Sequence, residues 1–276
     1  MQQNVATKVE IRPCPNCGSS SCVTKFIEPP FQIVKCTNCA LVYLGNPPDE
    51  GLIYEQYYES IEPDGRNYRA DSEDPHLAEL YAINTQRSVC IAALRPSGRL
   101  LDVGCGRGNF LATVRNFGFE AHGIDISDRA IAYAQNQFKV NARVATLDDE
   151  VNTHNHYDVI TLWHVLEHFV DPFKHLQQAR SLLKEDGICV VEVPNLNSLK
   201  FKISRSKWYG GNHPQYHRTF FSAGTLKRAL VKAGFSEVHR LRLSYRIPGR
   251  SKIYELSKEA LNVVGMDAFL AFVARR

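Results

Sequence analysis

The stretch Arg99-Leu-Leu-Asp-Val-Gly-Cys-Gly-Arg-Gly108 decides the fold of this chain. An apolar run leads directly into a turn with three glycines, and residues 109–117 have the pattern of a helix. Because glycines lack a Cβ atom, a ligand can approach their backbone closely, and the free amides where a helix begins favour an anionic group such as a carboxylate. The stretch therefore predicts a strand, a ligand-binding turn and a helix in immediate succession.

Short apolar strands alternate with helical stretches beyond this turn, and one long helix is predicted ahead of it, over residues 76–94. The predicted strands span residues 100–103, 120–125, 142–145, 157–163, 187–193, 235–245 and 268–274. Alternation of this kind is typical of a parallel sheet covered by helices. The sequence thus predicts a doubly wound, Rossmann-like α/β domain with a seven-stranded sheet.

Two Cys-x-x-Cys pairs lie ahead of this domain, Cys14 with Cys17 and Cys36 with Cys39, separated by 18 residues. Four thiolates in tetrahedral array form the usual structural zinc site, and such a closed site leaves no position for a substrate. The other four cysteines show no partner spacing, which favours metal over disulfides in a cytoplasmic chain. The spacing predicts a small zinc ribbon, although four ordinary reduced cysteines remain the alternative.

Composition and sequence breakers suggest how the 276 residues are divided. With 44% hydrophobic and 22% charged residues, the chain has the composition of a soluble globular protein. No apolar run is long enough to span a bilayer and no secretory signal is visible, so we expect a cytoplasmic protein. The breaker Asn46-Pro-Pro-Asp49 suggests three parts: a zinc-binding ribbon (1–47), a helical connector covering the cofactor site (48–98) and the α/β domain (99–276).

Two acidic residues, Asp102 before the glycines and Asp125 after them, indicate which class of ligand the turn binds. Asp125 ends the second predicted strand about twenty residues after the turn, where a carboxylate can hold a ribose diol. Dinucleotide enzymes share this arrangement, but their fingerprint is GxGxxG, whereas here glycines occupy every second position from Gly104 to Gly108. A buried Asp102 would repel a diphosphate and attract a sulfonium and an ammonium group. A nucleoside cofactor that carries positive charge is therefore favoured over a nicotinamide or flavin dinucleotide.

At this point the sequence resembles the class I S-adenosylmethionine-dependent methyltransferases, whose first motif matches residues 102–108 position by position. The likeness extends over residues 157–172 and 192–195, and it implies the strand order 3-2-1-4-5-7-6 with S-adenosylmethionine as cofactor. The residues that the resemblance assigns to cofactor binding are Asp102, Gly104, Cys105, Gly106, Gly108, Asp125, Ile126, Leu147, Trp163 and His164. The segment His217-Arg-Thr-Phe-Phe-Ser222 and the zinc module resemble the branch that acts on sugars, polysaccharides and natural products.

Methyl transfer requires alignment of donor and acceptor and removal of a proton. His164 ends the fourth predicted strand, and Glu167 and His168 follow it at the carboxyl edge of the sheet, where ligands bind in such folds. We predict His168 as the general base, with Glu167 and His217 beside the acceptor; a helix-capping or packing role for His168 remains the alternative. His213 and His217 flank Pro214 in an aromatic loop, where no third ligand is near enough to predict a second metal.

The distribution of charge suggests the kind of acceptor. Residues 199–252 contain thirteen Lys and Arg against one acidic residue, Glu237, which predicts a basic surface that attracts an anionic small molecule. Four tyrosines of the connector could close over the cofactor, namely Tyr54, Tyr57, Tyr58 and Tyr68. The alternatives are an RNA methyltransferase and a non-enzymatic zinc-ribbon adaptor with an inactive methyltransferase fold. Nucleic acid is disfavoured because the cysteine-rich segment is nearly uncharged, and the sequence does not specify the oligomeric state.

Overall fold

The computed structural model describes residues 10–48, 75–152, 156–204, 216–243 and 245–276. Its strands are β1 (Cys22–Glu28), β2 (Phe31–Cys36), β3 (Val42–Leu44), β4 (Gly98–Val103), β5 (Phe119–Asp125), β6 (Asn141–Val144), β7 (Tyr157–Trp163), β8 (Leu183–Pro194), β9 (Thr219–Phe220), β10 (Ser236–Leu241) and β11 (Phe269–Arg275). Its α-helices are α1 (Pro75–Leu94), α2 (Asn109–Val114), α3 (Asp128–Tyr133), α4 (Leu147–Val151), α5 (Pro172–Leu182), α6 (Leu199–Ser204), α7 (Ala223–Lys232) and α8 (Lys252–Val263).

The main sheet contains seven strands in the order β6-β5-β4-β7-β8-β11-β10. Counted along the chain within this sheet, that order is 3-2-1-4-5-7-6, so the predicted topology is confirmed. Strands β4 to β8 run parallel, and β11 is antiparallel to both of its neighbours. All seven residues of β7 are buried, as expected for a central strand with both faces covered. The carboxyl ends of β4, β5, β7 and β8 therefore share one edge of the sheet.

A second, antiparallel sheet has the order β1-β2-β3-β9. Its first three strands come from the cysteine-rich segment, but β9 comes from the segment that follows His217. Val42 pairs with Phe220 and Tyr43 pairs with Thr219. The cysteine-rich segment thus shares its sheet with a strand from the distal half of the chain.

One continuous core joins the two sheets. Cys14, Leu41 and Tyr43 are buried in the same cluster as Leu162 of β7 and Phe221 beside β9. Burial of apolar side chains is the main stabilising contribution in such a core. The cysteine-rich segment therefore packs against the α/β domain.

The predicted elements agree with the structure apart from their ends. The predicted helix over residues 109–117 forms α2, followed by a 3₁₀ turn over Arg115–Phe117. The last predicted strands are shifted or shortened, and β8 is longer than predicted. About half of the connector, including Tyr54, Tyr57, Tyr58 and Tyr68, lies outside the described residues. Among the helices that the structure describes, none is long and apolar enough to cross a membrane.

Candidate functional site

The three glycines after β4 all adopt the left-handed conformation, with φ of 67°, 50° and 77° at Gly104, Gly106 and Gly108. A Cβ at Gly104 would lie 2.5 Å from Cγ2 of Val165, and one at Gly108 would lie 2.8 Å from Cβ of Ala134. A Cβ at Gly106 would meet no atom within 4 Å among the described residues. Packing therefore requires two of the glycines, whereas the middle one faces open space in which a ligand can lie against the backbone.

Asp125, at the carboxyl end of β5, is held against this turn. Its Oδ2 accepts a hydrogen bond from the Gly106 amide at 2.8 Å, and its Oδ1 accepts one from the Ser127 amide at 2.9 Å. A carboxylate offers about four acceptor sites, so these two hydrogen bonds alone do not saturate it. This arrangement suits a ribose diol next to the glycine turn.

Asp102 lies in β4, two positions before Gly104, and is almost fully buried. Its Oδ1 accepts a hydrogen bond from the Thr161 hydroxyl at 2.7 Å. Burial raises the pKa of Asp102 to about 7, and the nearby Asp125 carboxylate acts in the same direction. A cation placed beside this carboxyl group would favour its ionised form.

The remaining predicted cofactor residues differ in how they face the turn. The side chain of Cys105 is buried against Leu111 in a small apolar cluster, so Cys105 contributes its backbone rather than its thiol to the surface of the turn. Trp163 is covered by Phe110 and forms part of the core. Leu147 is buried at the start of α4, whereas 42% of Ile126 is exposed directly after β5.

A buried polar network crosses the ends of β7 and β8. Glu192 is 1% exposed and accepts hydrogen bonds from Arg87 of α1 and from the Tyr245 hydroxyl. The Arg87 guanidinium also stacks on Trp163, 4.4 Å from the ring centroid. Although burial alone would raise the pKa of Glu192, the charges of Arg87 and His164 outweigh it and lower that pKa to about 2. The network fixes the helix ahead of the sheet to the carboxyl end of β8.

His164 connects this network to the predicted catalytic residues. Its backbone has a φ of 58°, unusual for a residue other than glycine, and its Nε2 lies 3.0 Å from Oε1 of Glu192. Its Nδ1 lies 3.6 Å from Oε1 of Glu167, and its ring contacts Phe269 edge-on. Burial would lower the pKa of His164, but the two carboxylates outweigh it and raise the pKa to about 9.

The structure brings Glu167, His168 and His217 together. One ligand atom from each lies within 4.8 Å of the other two, and the two imidazole rings meet at 4.8 Å between centroids. Nδ1 of His168 lies 3.0 Å from the carbonyl oxygen of Tyr216. The expectation that no third metal ligand lies near His217 was wrong, because Glu167 and His168 of the 3₁₀ turn Leu166–His168 are 50 and 49 residues away in sequence but adjacent in space.

The four predicted zinc ligands form one cluster. Their Sγ atoms all lie within 4.8 Å of one another, and both the Cys14–Cys39 and Cys17–Cys36 sulfur pairs are 3.5 Å apart. A tetrahedral zinc ion with Zn–S distances of about 2.3 Å places its sulfurs about 3.8 Å apart. The cysteines therefore fit a zinc ion with little adjustment.

Basic side chains of α7 attach to this cluster. Arg228 donates a hydrogen bond to the Cys39 carbonyl oxygen at 2.9 Å, and Lys232 donates one to the carbonyl oxygen of Asn16. Four thiolates around one Zn²⁺ carry a net charge of −2, which nearby cations stabilise. Part of the basic stretch thus supports the cysteine-rich segment rather than an acceptor.

Other members of the basic stretch lie closer to the sheet edge. Lys200 and Lys202 are exposed on α6, which begins five residues after β8 ends. Arg205, Lys207 and His213 lie outside the described residues.

No role for Arg87 or Tyr245 was predicted from the sequence, and none for Glu192 beyond its place at a strand end. The one available signal was the carboxylate of Glu192 at the carboxyl end of an otherwise apolar strand. Its partners could not be identified because they lie 105 and 53 residues away along the chain.

Comparison with known proteins relates this chain to methyltransferases. The chain is 32% identical over 111 residues to a ubiquinone biosynthesis O-methyltransferase of Cereibacter sphaeroides, covering 38% of this chain and 45% of that protein. A protein of the same name from Xanthomonas campestris is 28% identical over 142 residues, 49% of this chain and 59% of that protein. The chain spans about half the length of the curated relatives it matches.

Solved structures share the fold. An S-adenosylmethionine-dependent methyltransferase from Archaeoglobus fulgidus matches 80% of this chain and 100% of its own, with a TM-score of 0.55 and 22% identity. The 1,6-didemethyltoxoflavin-N1-methyltransferase of Burkholderia thailandensis, solved with S-adenosylhomocysteine, matches 93% of this chain and 99% of its own, with a TM-score of 0.55 and 17% identity. The family model described as "Methyltransferase domain" matches residues 76–240, which is 165 of the 276 residues. The chain therefore belongs to this methyltransferase-domain family.

Proposed function

We propose that the protein transfers a methyl group from S-adenosylmethionine to a small-molecule acceptor. The observation that carries this proposal is the pairing of the open, left-handed Gly106 with the Asp125 carboxylate at the shared carboxyl edge of β4 and β5. Membership of the methyltransferase-domain family supports it, as do related folds solved with S-adenosylhomocysteine.

The residues around the turn suit the separate groups of this cofactor. Asp125 would accept hydrogen bonds from the ribose hydroxyls, and the backbone amides of the glycine turn would hold the carboxylate of the methionine part. Asp102 would favour the positively charged end of the cofactor. When bound, the cofactor supplies a methyl group already activated by its sulfonium.

The proton that the acceptor loses would be accepted near β7. If Nδ1 of His168 donates its hydrogen to the carbonyl oxygen of Tyr216, Nε2 carries the lone pair that a general base needs. Glu167 and His217 lie beside it and complete a polar surface at the carboxyl edge of the sheet. In the ion-free site we therefore assign His168 as the base, with Glu167 and His217 positioning the acceptor.

The zinc module would support this surface. Arg12 donates hydrogen bonds to the carbonyl oxygens of Leu44 and of Val170, two residues beyond His168. The Leu44 amide donates to the Arg218 carbonyl oxygen, and the Arg218 amide donates to the carbonyl oxygen of Glu167. A structural zinc ion bound by the four cysteines would thus fix the segment that leads from His217 into β9.

The acceptor we propose is an anionic small molecule, of the sugar, nucleotide-sugar or natural-product class, methylated on oxygen or carbon. Lys200 and Lys202, exposed just beyond the end of β8, could attract it. The name of the ubiquinone biosynthesis relatives favours oxygen as the methylated atom.

Titration calorimetry of the whole chain tests the cofactor. We expect one S-adenosylmethionine and one S-adenosylhomocysteine to bind per chain, and no binding of NAD⁺ at the same concentrations, because a diphosphate would lie beside Asp102. Binding of NAD⁺ in preference to both, or of none of the three, would overturn the proposal.

A further inference from the structure

A cluster of three metal-ligating side chains lies at the carboxyl edge of the sheet, separate from the four cysteines. We propose that Glu167, His168 and His217 bind a divalent transition-metal ion. The three side chains can each direct one ligand atom to a common point, since these atoms all lie within 4.8 Å of one another.

The carboxylate of Glu167 has the environment of a ligand. Its side chain is 1% exposed, and neither of its oxygens accepts a hydrogen bond from any residue that the structure describes. The Nδ1 of His164 lies 3.6 Å away, within reach of an ion pair but too far for a hydrogen bond. Leaving a buried carboxylate without hydrogen bonds is costly, and coordination of a cation would remove that cost.

The surrounding backbone holds His168 in a suitable orientation. Nδ1 of His168 faces the Tyr216 carbonyl oxygen at 3.0 Å, so Nε2 is the nitrogen left to bind an ion. Metal-binding histidines commonly donate their other ring N–H to such a carbonyl group. The hydrogen bond from the Arg218 amide to the Glu167 carbonyl oxygen ties the two segments together next to His217.

The ligand types indicate which ions fit. Two imidazoles and one carboxylate suit Zn²⁺, Fe²⁺, Co²⁺ or Mn²⁺ better than Mg²⁺ or Ca²⁺, which prefer oxygen ligands. Three protein ligands leave positions open for another molecule, unlike the closed set of four cysteines. An ion bound here would therefore keep coordination positions for an acceptor.

The role of the ion extends the proposed methyl transfer and depends on it. Binding of the ion at this site does not depend on that function. An acceptor hydroxyl bound to the ion would have a lowered pKa and lose its proton to solvent. Its oxygen would then form the bond to the methyl carbon while the carbon–sulfur bond breaks and its electron pair stays on sulfur. In this arrangement His168 acts as a ligand, and the ion replaces it as the group that promotes deprotonation.

Titration with Co²⁺ tests the site on the whole chain after its four cysteines have been loaded with one equivalent of Zn²⁺. We expect one Co²⁺ to bind per chain, with visible absorption bands of nitrogen and oxygen ligation and without the intense near-ultraviolet bands of thiolate ligation. Glu167→Gln and His217→Ala should each weaken Co²⁺ binding by at least about 100-fold, more than the loss of a supporting hydrogen bond costs. His239→Ala, at an exposed strand position, should bind as the unmodified chain does.

Folding is checked independently by circular dichroism and by S-adenosylhomocysteine binding. If one ligand variant fails to fold, the other decides the result, with Glu167→Asp as a third variant. The absence of a Co²⁺ site beyond the cysteines, thiolate bands alone, or unchanged affinity in the folded variants would overturn the inference. Because this measurement needs neither cofactor nor acceptor, it separates failure of the ion site from failure of the proposed methyl transfer.

Discussion

Replacing Asp102 by Asn removes one ionisable group from beneath the glycine turn. The Asn side chain keeps the shape of Asp and an oxygen that can accept the hydrogen bond from the Thr161 hydroxyl. Burial raises the pKa of Asp102 from 3.8 to about 7 in the folded chain, a difference of about three pKa units. Each unit corresponds to about 1.4 kcal/mol, so ionising Asp102 in the folded, cofactor-free chain costs at most about 4 kcal/mol.

The sign of the pH dependence follows from linkage. Below about pH 4 the carboxyl group of Asp102 is protonated in both the folded and the unfolded chain, so it has no effect on the free energy of unfolding. Between about pH 4 and 7 only the unfolded chain is ionised at this position, and the free energy of unfolding falls as pH rises. The Asn variant lacks this contribution and should therefore be the more stable chain above pH 7.

Bound cofactor should reverse the preference of the folded chain for the protonated form of Asp102. Its positive charge favours ionised Asp102, so S-adenosylmethionine should bind the unmodified chain more weakly as pH falls below 7, and the Asn variant should bind with little pH dependence. Denaturant unfolding and titration calorimetry at pH 5.5, 6.5, 7.5 and 8.5 measure both effects. If both proteins show the same pH dependence of unfolding and of cofactor affinity, the buried, cofactor-facing carboxyl group is refuted.

Three further predictions concern the zinc module, the base and the acceptor. Elemental analysis should find one zinc per chain, and the Cys36→Ser, Cys39→Ser double variant should lose both the zinc and catalytic activity. Native protein that is metal-free and fully folded would exclude the module. His168→Ala should lower turnover by about 10² or more in steady-state assays while cofactor affinity stays nearly unchanged, and full turnover would exclude a catalytic role. Once an acceptor is known, Lys200→Ala with Lys202→Ala should raise its KM, and added salt should do the same; a KM insensitive to both would discard an anionic acceptor.

Local patterns in the sequence predicted much of the fold and the proximity of the glycine turn to Asp125. The glycine turn and Asp125 are about twenty residues apart and lie at consecutive strand ends, so spacing alone places them together. The strand order could not be obtained from the apolar alternation, because every parallel order has the same local pattern, and it came from the resemblance. That order is confirmed by the structure.

Contacts between distant parts of the chain could not be predicted. The pairing of β3 with β9 joins residues more than 170 positions apart, and nothing in either short segment specifies its partner. The same holds for Arg87 with Glu192 and for Glu167 with His217. Even the requirement for a glycine at position 104 arises because a Cβ there would collide with Val165, which lies close only in the folded chain.

The cofactor affinity of Asp125→Ala tests the central claim most directly, with Asp128→Ala as its control, since Asp128 is an exposed acidic residue three positions further on. Loss of the hydrogen bonds to the ribose should weaken S-adenosylmethionine binding by about 1.5–3 kcal/mol in titration calorimetry, the usual contribution of hydrogen bonds to a charged group. The control should bind as the unmodified chain does, and both variants should keep their circular dichroism spectra. Equal affinity of the folded Asp125→Ala variant and the unmodified chain would contradict the account.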